Sequence, residues 1–154
     1  MNYSEKIKIA FYRGRYSKNI VSKLIAWFTF SMYSHVEIII DEFSYSSRTS
    51  TKGVSKQIVD YAVEPELWDI FTVEVSEETV REIIQFFNST DRSKYDWIGI
   101  FFYHLLPIEI EDPKKWYCSE WVARALKFQY PTLFKKIQCT PGKLFQKVQK
   151  IQHN

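Results

Sequence analysis

Two side chains in this chain have the types needed to break an acyl bond together: Cys118, in "PKKWYCSEWVARAL" (113–126), and His35, in "YSHVEIIID" (33–41). A thiol nucleophile reacts as the thiolate and needs a base within hydrogen-bond reach. A helix N-terminus favours an anion, because its first N–H groups lack intrahelical partners. The same groups can hold the oxyanion of an acyl-transfer transition state. Pro113 precedes a helix expected from about Tyr117 to Phe128, which sets Cys118 in its first turn. A structural reading competes. Cys118, Val122 and Ala125 fall at i, i+4 and i+7, the spacing of a core face, and free cysteine is often simply buried. Of the three histidines, His104 falls in an aromatic stretch and His153 at the tail, so His35 is the better base.

A base needs a third group to hold its tautomer, and here strand register decides. A two-residue loop at Asp41-Glu42 sets His35 opposite Arg48, with Ser46 on its face. An odd loop centred on Asp41 pairs Ile39 with Phe43 and brings His35 to Ser47. The apolar Ile39–Phe43 match favours Ser47. Ser46 and Glu37 remain the alternatives. Glu37 points the same way as His35 and carries a charge, but same-face neighbours along one strand stand roughly 7 Å apart.

The elements that must position these groups are legible from periodicity. "KIKIAFYR" (6–13) alternates as a strand. "KNIVSKLIAWFTF" (18–30) carries Ile20, Leu24, Trp27 and Phe28 at near-helical spacing. "SHVEIIID" is apolar on both faces, as in a central strand, with Val36, Ile38 and Ile40 on one side and His35, Glu37 and Ile39 on the other. "FSYSSRTS" reads as its return strand, "KGVSKQIV" as an extension of the sheet, and "WDIFTVEV" (68–75) as a further strand. Ser76 is an expected N-cap to a helix with a Val80, Ile83, Ile84, Phe87 stripe. "YDWIGIFFYHLL" is expected to be helical and buried. Thr140 and Pro141 open a last helix as N-cap and first residue. The sum is one α+β domain over residues 1–154, with a mostly antiparallel sheet and a helical C-terminal half.

Composition narrows the class. The chain has 154 residues, 45% of them hydrophobic and 18% aromatic, a load suited to a core or to a lined cleft. Net charge is +3, too small to imply nucleic acid, so the lysines from Lys114 to Lys150 read as a solvated helical face. The longest apolar run is too short to span a bilayer, and the N-terminus has no signal-peptide core; a cytoplasmic protein with free thiols is expected. No zinc-type spacing occurs, so neither metal nor cofactor is expected.

The segments "YSHVEIIID", "YSSRTSTKGV", "KYDWIGI", "WYCSEWVARAL" and "TPGKLF", in that order, resemble the circularly permuted NlpC-type papain-like superfamily. It includes YiiX-like proteins, lecithin–retinol acyltransferase-like enzymes and many small proteins of phages and large DNA viruses. The resemblance runs from about Ile25 to Leu144. It implies a permuted papain-like fold whose sheet packs against the cysteine-bearing helix, with Cys118 as nucleophile, His35 as base and Ser47 at the orienting position. Relatives more often use His, Asn or Glu there. It also implies that Tyr117 and Tyr95 line the site or assist an oxyanion hole. The implied activity is that of a thiol hydrolase or acyltransferase acting on a peptide, cell-wall amide or lipid acyl group, in a phage or virion setting. The alternative is a non-catalytic binding module on the same scaffold.

Overall fold

The computed structural model describes residues 4–99 and 114–152. The expected helix over "YDWIGIFFYHLL" therefore lies mostly outside the described residues, as do His104 and His153. Alternating apolar residues give strands β1 (Ser4–Tyr12), β2 (His35–Ile40), β3 (Phe43–Arg48), β4 (Gly53–Gln57) and β5 (Trp68–Ser76). Two short strands, β6 (Lys94–Tyr95) and β7 (Lys115–Trp116), complete a seven-stranded sheet in the order β5-β1-β2-β3-β4-β6-β7. All neighbours are antiparallel except β6 and β7. The architecture is mixed α+β. β2 is interior to the sheet, as its two-sided apolarity requires.

Helices α1 (Ile20–Phe28), α2 (Glu77–Thr90), α3 (Cys118–Leu126) and α4 (Pro141–Gln152) accompany the sheet. Their starts are built as their sequences suggest. Ser76 Oγ accepts the Thr79 N–H at 3.1 Å, and Thr140 Oγ1 accepts the Lys143 N–H at 3.1 Å. The core lies between α2, α3, α4 and one sheet face, where Phe11, Val36, Ile38 and Val73 meet Ile83, Trp121, Val122 and Leu144.

The β2–β3 register corrects one expectation. Ile40, not Ile39, pairs with Phe43, so the loop is the two-residue turn Asp41-Glu42. Asp41 takes φ 56°, a left-handed conformation that Asp tolerates better than most residues. This register carries Tyr45 into the core beside Ile38, where its ring meets Phe87 edge-on at 5.0 Å. The alternative would turn Tyr45 out, since a one-residue slip exchanges the faces of a strand. A second correction concerns residues 95–98. Tyr95 is in a strand rather than a helix, and Trp97 and Ile98 are exposed rather than buried.

Candidate active site

The site forms where the N-terminus of α3 meets the start of β2 and the end of β3. Cys118 is the first residue of α3, and its Sγ–H points to the Ser34 carbonyl at 3.9 Å. Tyr117 is the N-cap and offers no side-chain cap, so no side chain of that residue competes for the N–H groups beside the thiol. Cys118, Val122 and Ala125 are all fully buried. The core spacing seen in the sequence and a position at a helix terminus thus hold together.

His35 heads β2 and reaches both ways. Its Nε2 lies 2.9 Å from Glu37 Oε2, and Cys118 is the other side chain that acts on the imidazole. Glu37 is almost fully buried and is satisfied on both oxygens. Oε2 also accepts from Arg48 Nη2 at 3.0 Å, and Oε1 accepts from the Tyr61 hydroxyl. Burial disfavours the charged imidazole, but the hydrogen bonds and charges of Cys118 and Glu37 outweigh it, raising His35 from 6.5 to about 9. Burial likewise opposes the Glu37 carboxylate. The His35 bond, the charges of His35 and Arg48 and the Tyr61 bond overcome it, lowering Glu37 from 4.5 to about 2.

Ser47 does not contact the imidazole. The observed register turns it to the opposite face of β3, where its Oγ–H donates to the Trp116 carbonyl at 2.5 Å. It thereby ties β3 to the residue two before Cys118. Ser46 is occupied too, donating to the Val36 carbonyl at 2.7 Å. Glu37, one of the two alternatives to Ser47, is the one whose carboxylate bonds the ring. The 7 Å objection to it fails because side chains on a strand lean along the strand direction. Imidazole and carboxylate lean towards one another and span the gap. Arg48 and Tyr61 were not anticipated as site residues. Arg48 was visible as the residue opposite His35 in the two-residue-loop register. Tyr61 comes from a loop and carries no periodic signal.

The surroundings fix this geometry. Asp69 accepts Arg13 Nε at 2.8 Å and Nη2 at 2.7 Å, and the Tyr33 hydroxyl at 2.6 Å. Burial opposes the Asp69 charge, yet these partners hold its carboxyl below the usual range. The cluster joins β1, β5 and the segment leading into His35. The Tyr61 ring rests edge-on against Trp68 at 5.0 Å.

A cavity of about 290 Å³ opens beside His35, walled by Tyr12, Ser34, Glu37, Arg48, Trp68 and Tyr95 among others. Tyr95 packs with Tyr117 and Ile25. Burial, with the charges of Cys118 and Asp96, holds the Tyr95 phenol well above its ordinary pKa. It is therefore a protonated donor near the thiol. Tyr117 packs behind it instead of facing the cavity, and Trp116 turns to the core, edge-on to Phe86 at 5.4 Å. Cys139 is buried, and that burial pushes its thiol up to about 12. Among the described residues no group of three His, Cys, Asp or Glu side chains could hold a metal ion, and no helix is long and apolar enough to cross a membrane. No protein-family model matches the chain, and no curated protein matches it.

Proposed function

We propose that this chain is a thiol hydrolase or acyltransferase on a permuted papain-like scaffold. The observation that carries the reading is the Cys118–His35–Glu37 relay at the N-terminus of α3. In it Cys118 Sγ attacks a carbonyl carbon and its proton resides on His35. His35 gives that proton to the leaving amine or alcohol as the bond to carbon breaks, and a thioester remains on Cys118. Water or another acceptor, deprotonated by His35, then releases the acyl group and restores the thiol. Arg48 matters for charge. It offsets the Glu37 carboxylate, so an imidazolium at His35 is left to balance a thiolate. The Tyr95 phenol and the first N–H groups of α3 are the donors available to an oxyanion.

The test is acyl-enzyme trapping with p-nitrophenyl acetate. The expected result is p-nitrophenol release with an acetyl group recovered on the Cys118 peptide, removable by hydroxylamine and absent from Cys118→Ala. Release without a Cys118 adduct contradicts the reading.

One observation favours the binding module: Cys118 has no exposed surface and does not line the cavity, whereas His35 does. A substrate carbonyl reaches Sγ only if the wall at His35 and Tyr95 parts. A pure binder would retain its partner and its biological effect in Cys118→Ala, whereas an enzyme would retain the partner alone.

A further inference from the structure

The apolar stripe of α1 faces the wrong way for a core helix. Its buried residues are Ile25 and Ala26, while Ile20, Leu24 and Trp27 are 73%, 56% and 68% exposed. Successive residues turn by about 100° around a helix, which puts these three side chains on one outward line, with Lys23 alongside. A helix of a soluble domain ordinarily turns such a stripe inward.

The end of α1 continues the pattern. The Phe30 N–H bonds to the Trp27 carbonyl at 3.1 Å and the Ser31 N–H to the Ala26 carbonyl at 2.9 Å. These are the two bonds of a Schellman C-cap, whose left-handed position usually holds glycine. Here it holds Phe30, at φ 48° and 92% exposed. A bulky residue with positive φ is strained, and this one gains no burial within the chain to offset it.

Charge supplies the third observation. Between Glu5 and Glu37 the sequence contains no acidic residue, but it contains Lys6, Lys8, Arg13, Arg15, Lys18 and Lys23. Arg13 is paired with Asp69. Arg15, Lys18 and Lys23 are exposed and form no ion pair among the described residues.

We propose that α1 and Phe30 form a docking surface for an anionic lipid bilayer. Trp27, Leu24, Ile20 and Phe30 enter the headgroup region, and Arg15, Lys18 and Lys23 meet the lipid phosphates. Tryptophan and flanking cations are the side chains suited to that boundary. A second copy of the chain fits less well, because a two-fold contact would bring the two sets of unpaired cations together. Asn19, Ser22 and Ile25 on the inner side of α1 line the cavity beside His35, so docking holds the cavity mouth close to the lipid–water boundary. The proposal does not depend on the thiol chemistry.

The test is flotation with phosphatidylcholine vesicles with and without phosphatidylglycerol. The full chain is expected to float with the anionic vesicles and much less with the neutral ones. Lys18→Glu with Lys23→Glu should weaken binding at least about tenfold, and Cys118→Ala should bind as the parent does. Phe30→Gly separates docking from folding: it relieves the strained cap, so the melting temperature should rise while vesicle binding falls. Three results would overturn the proposal. They are no flotation of the parent chain, unchanged binding in Phe30→Gly with a raised melting temperature, and a dimer in solution that Trp27→Ser dissolves.

Discussion

His35 Nε2 and Glu37 Oε2 stand 2.9 Å apart although the two residues are next-but-one neighbours on a single strand. The carboxylate that bonds the imidazole thus comes from the same strand, and Arg48 and Tyr61 fix it from outside. Any motion of β2 moves imidazole and carboxylate together.

This pairing should be visible in the titration of His35. Its imidazole is expected to keep its proton through neutral pH and to titrate near 9. Glu37→Gln removes the carboxylate that stabilises the cation and should lower the midpoint. Imidazole NMR across pH 5 to 10 reads both directly. An ordinary midpoint near 6.5 in the parent chain would contradict the assignment.

Stability should depend on pH with a defined sign. His35 is raised from 6.5 to about 9, so its contribution is complete below 6.5 and fades as pH rises through about 9. Glu37 is lowered from 4.5 to about 2, so its contribution is complete above 4.5 and is lost as pH falls through about 2. Denaturant unfolding should therefore show a plateau between 4.5 and 6.5 from this pair. In Glu37→Leu the acid limb should shrink. That variant leaves Arg48 buried without its carboxylate and should lose about 3–5 kcal/mol near neutral pH.

Ser47 distinguishes an orienter from a strand tie. Ser47→Ala removes one buried hydrogen bond and should cost about 1 kcal/mol, while the Asp96 N–H still serves the Trp116 carbonyl at 3.1 Å. The His35 titration should not move. A shift in that midpoint would restore Ser47 to the relay.

The sequence made the strands, the α2 and α4 caps and the Cys118 helix legible, because period and capping chemistry are local properties. It also brought out Cys118 and His35. The sequence ranks Ser47 ahead of Glu37 as orienter for two reasons. Asp41-Glu42 is a weak turn signal beside Asn-Gly, so register rested on the Ile39–Phe43 match, whereas the burial of Tyr45 against Phe87 decides it. The spacing argument against Glu37 also treated side chains as perpendicular to the strand. Strands β6 and β7, two residues each, have no period to read. The α1 stripe was plain in the sequence, but the direction it faces depends on what packs behind Ile25.

The two thiols should differ sharply. Cys139 is buried, its thiol is pushed up to about 12, and its Sγ–H points to the Ser119 carbonyl at 3.9 Å. Peptide mapping after brief alkylation of the native chain should recover Cys118 modified and Cys139 intact. Modification of Cys139 first would mean that access, not activation, governs both.

The most direct test of the central claim is the rate at which iodoacetamide alkylates Cys118 at pH 6, compared with a free-cysteine peptide and with His35→Ala. The expected result is a native rate above that of the peptide, falling by about 10² or more when the imidazole is removed. A native rate no faster than the peptide, unchanged in His35→Ala, would contradict the account and return Cys118 to the core.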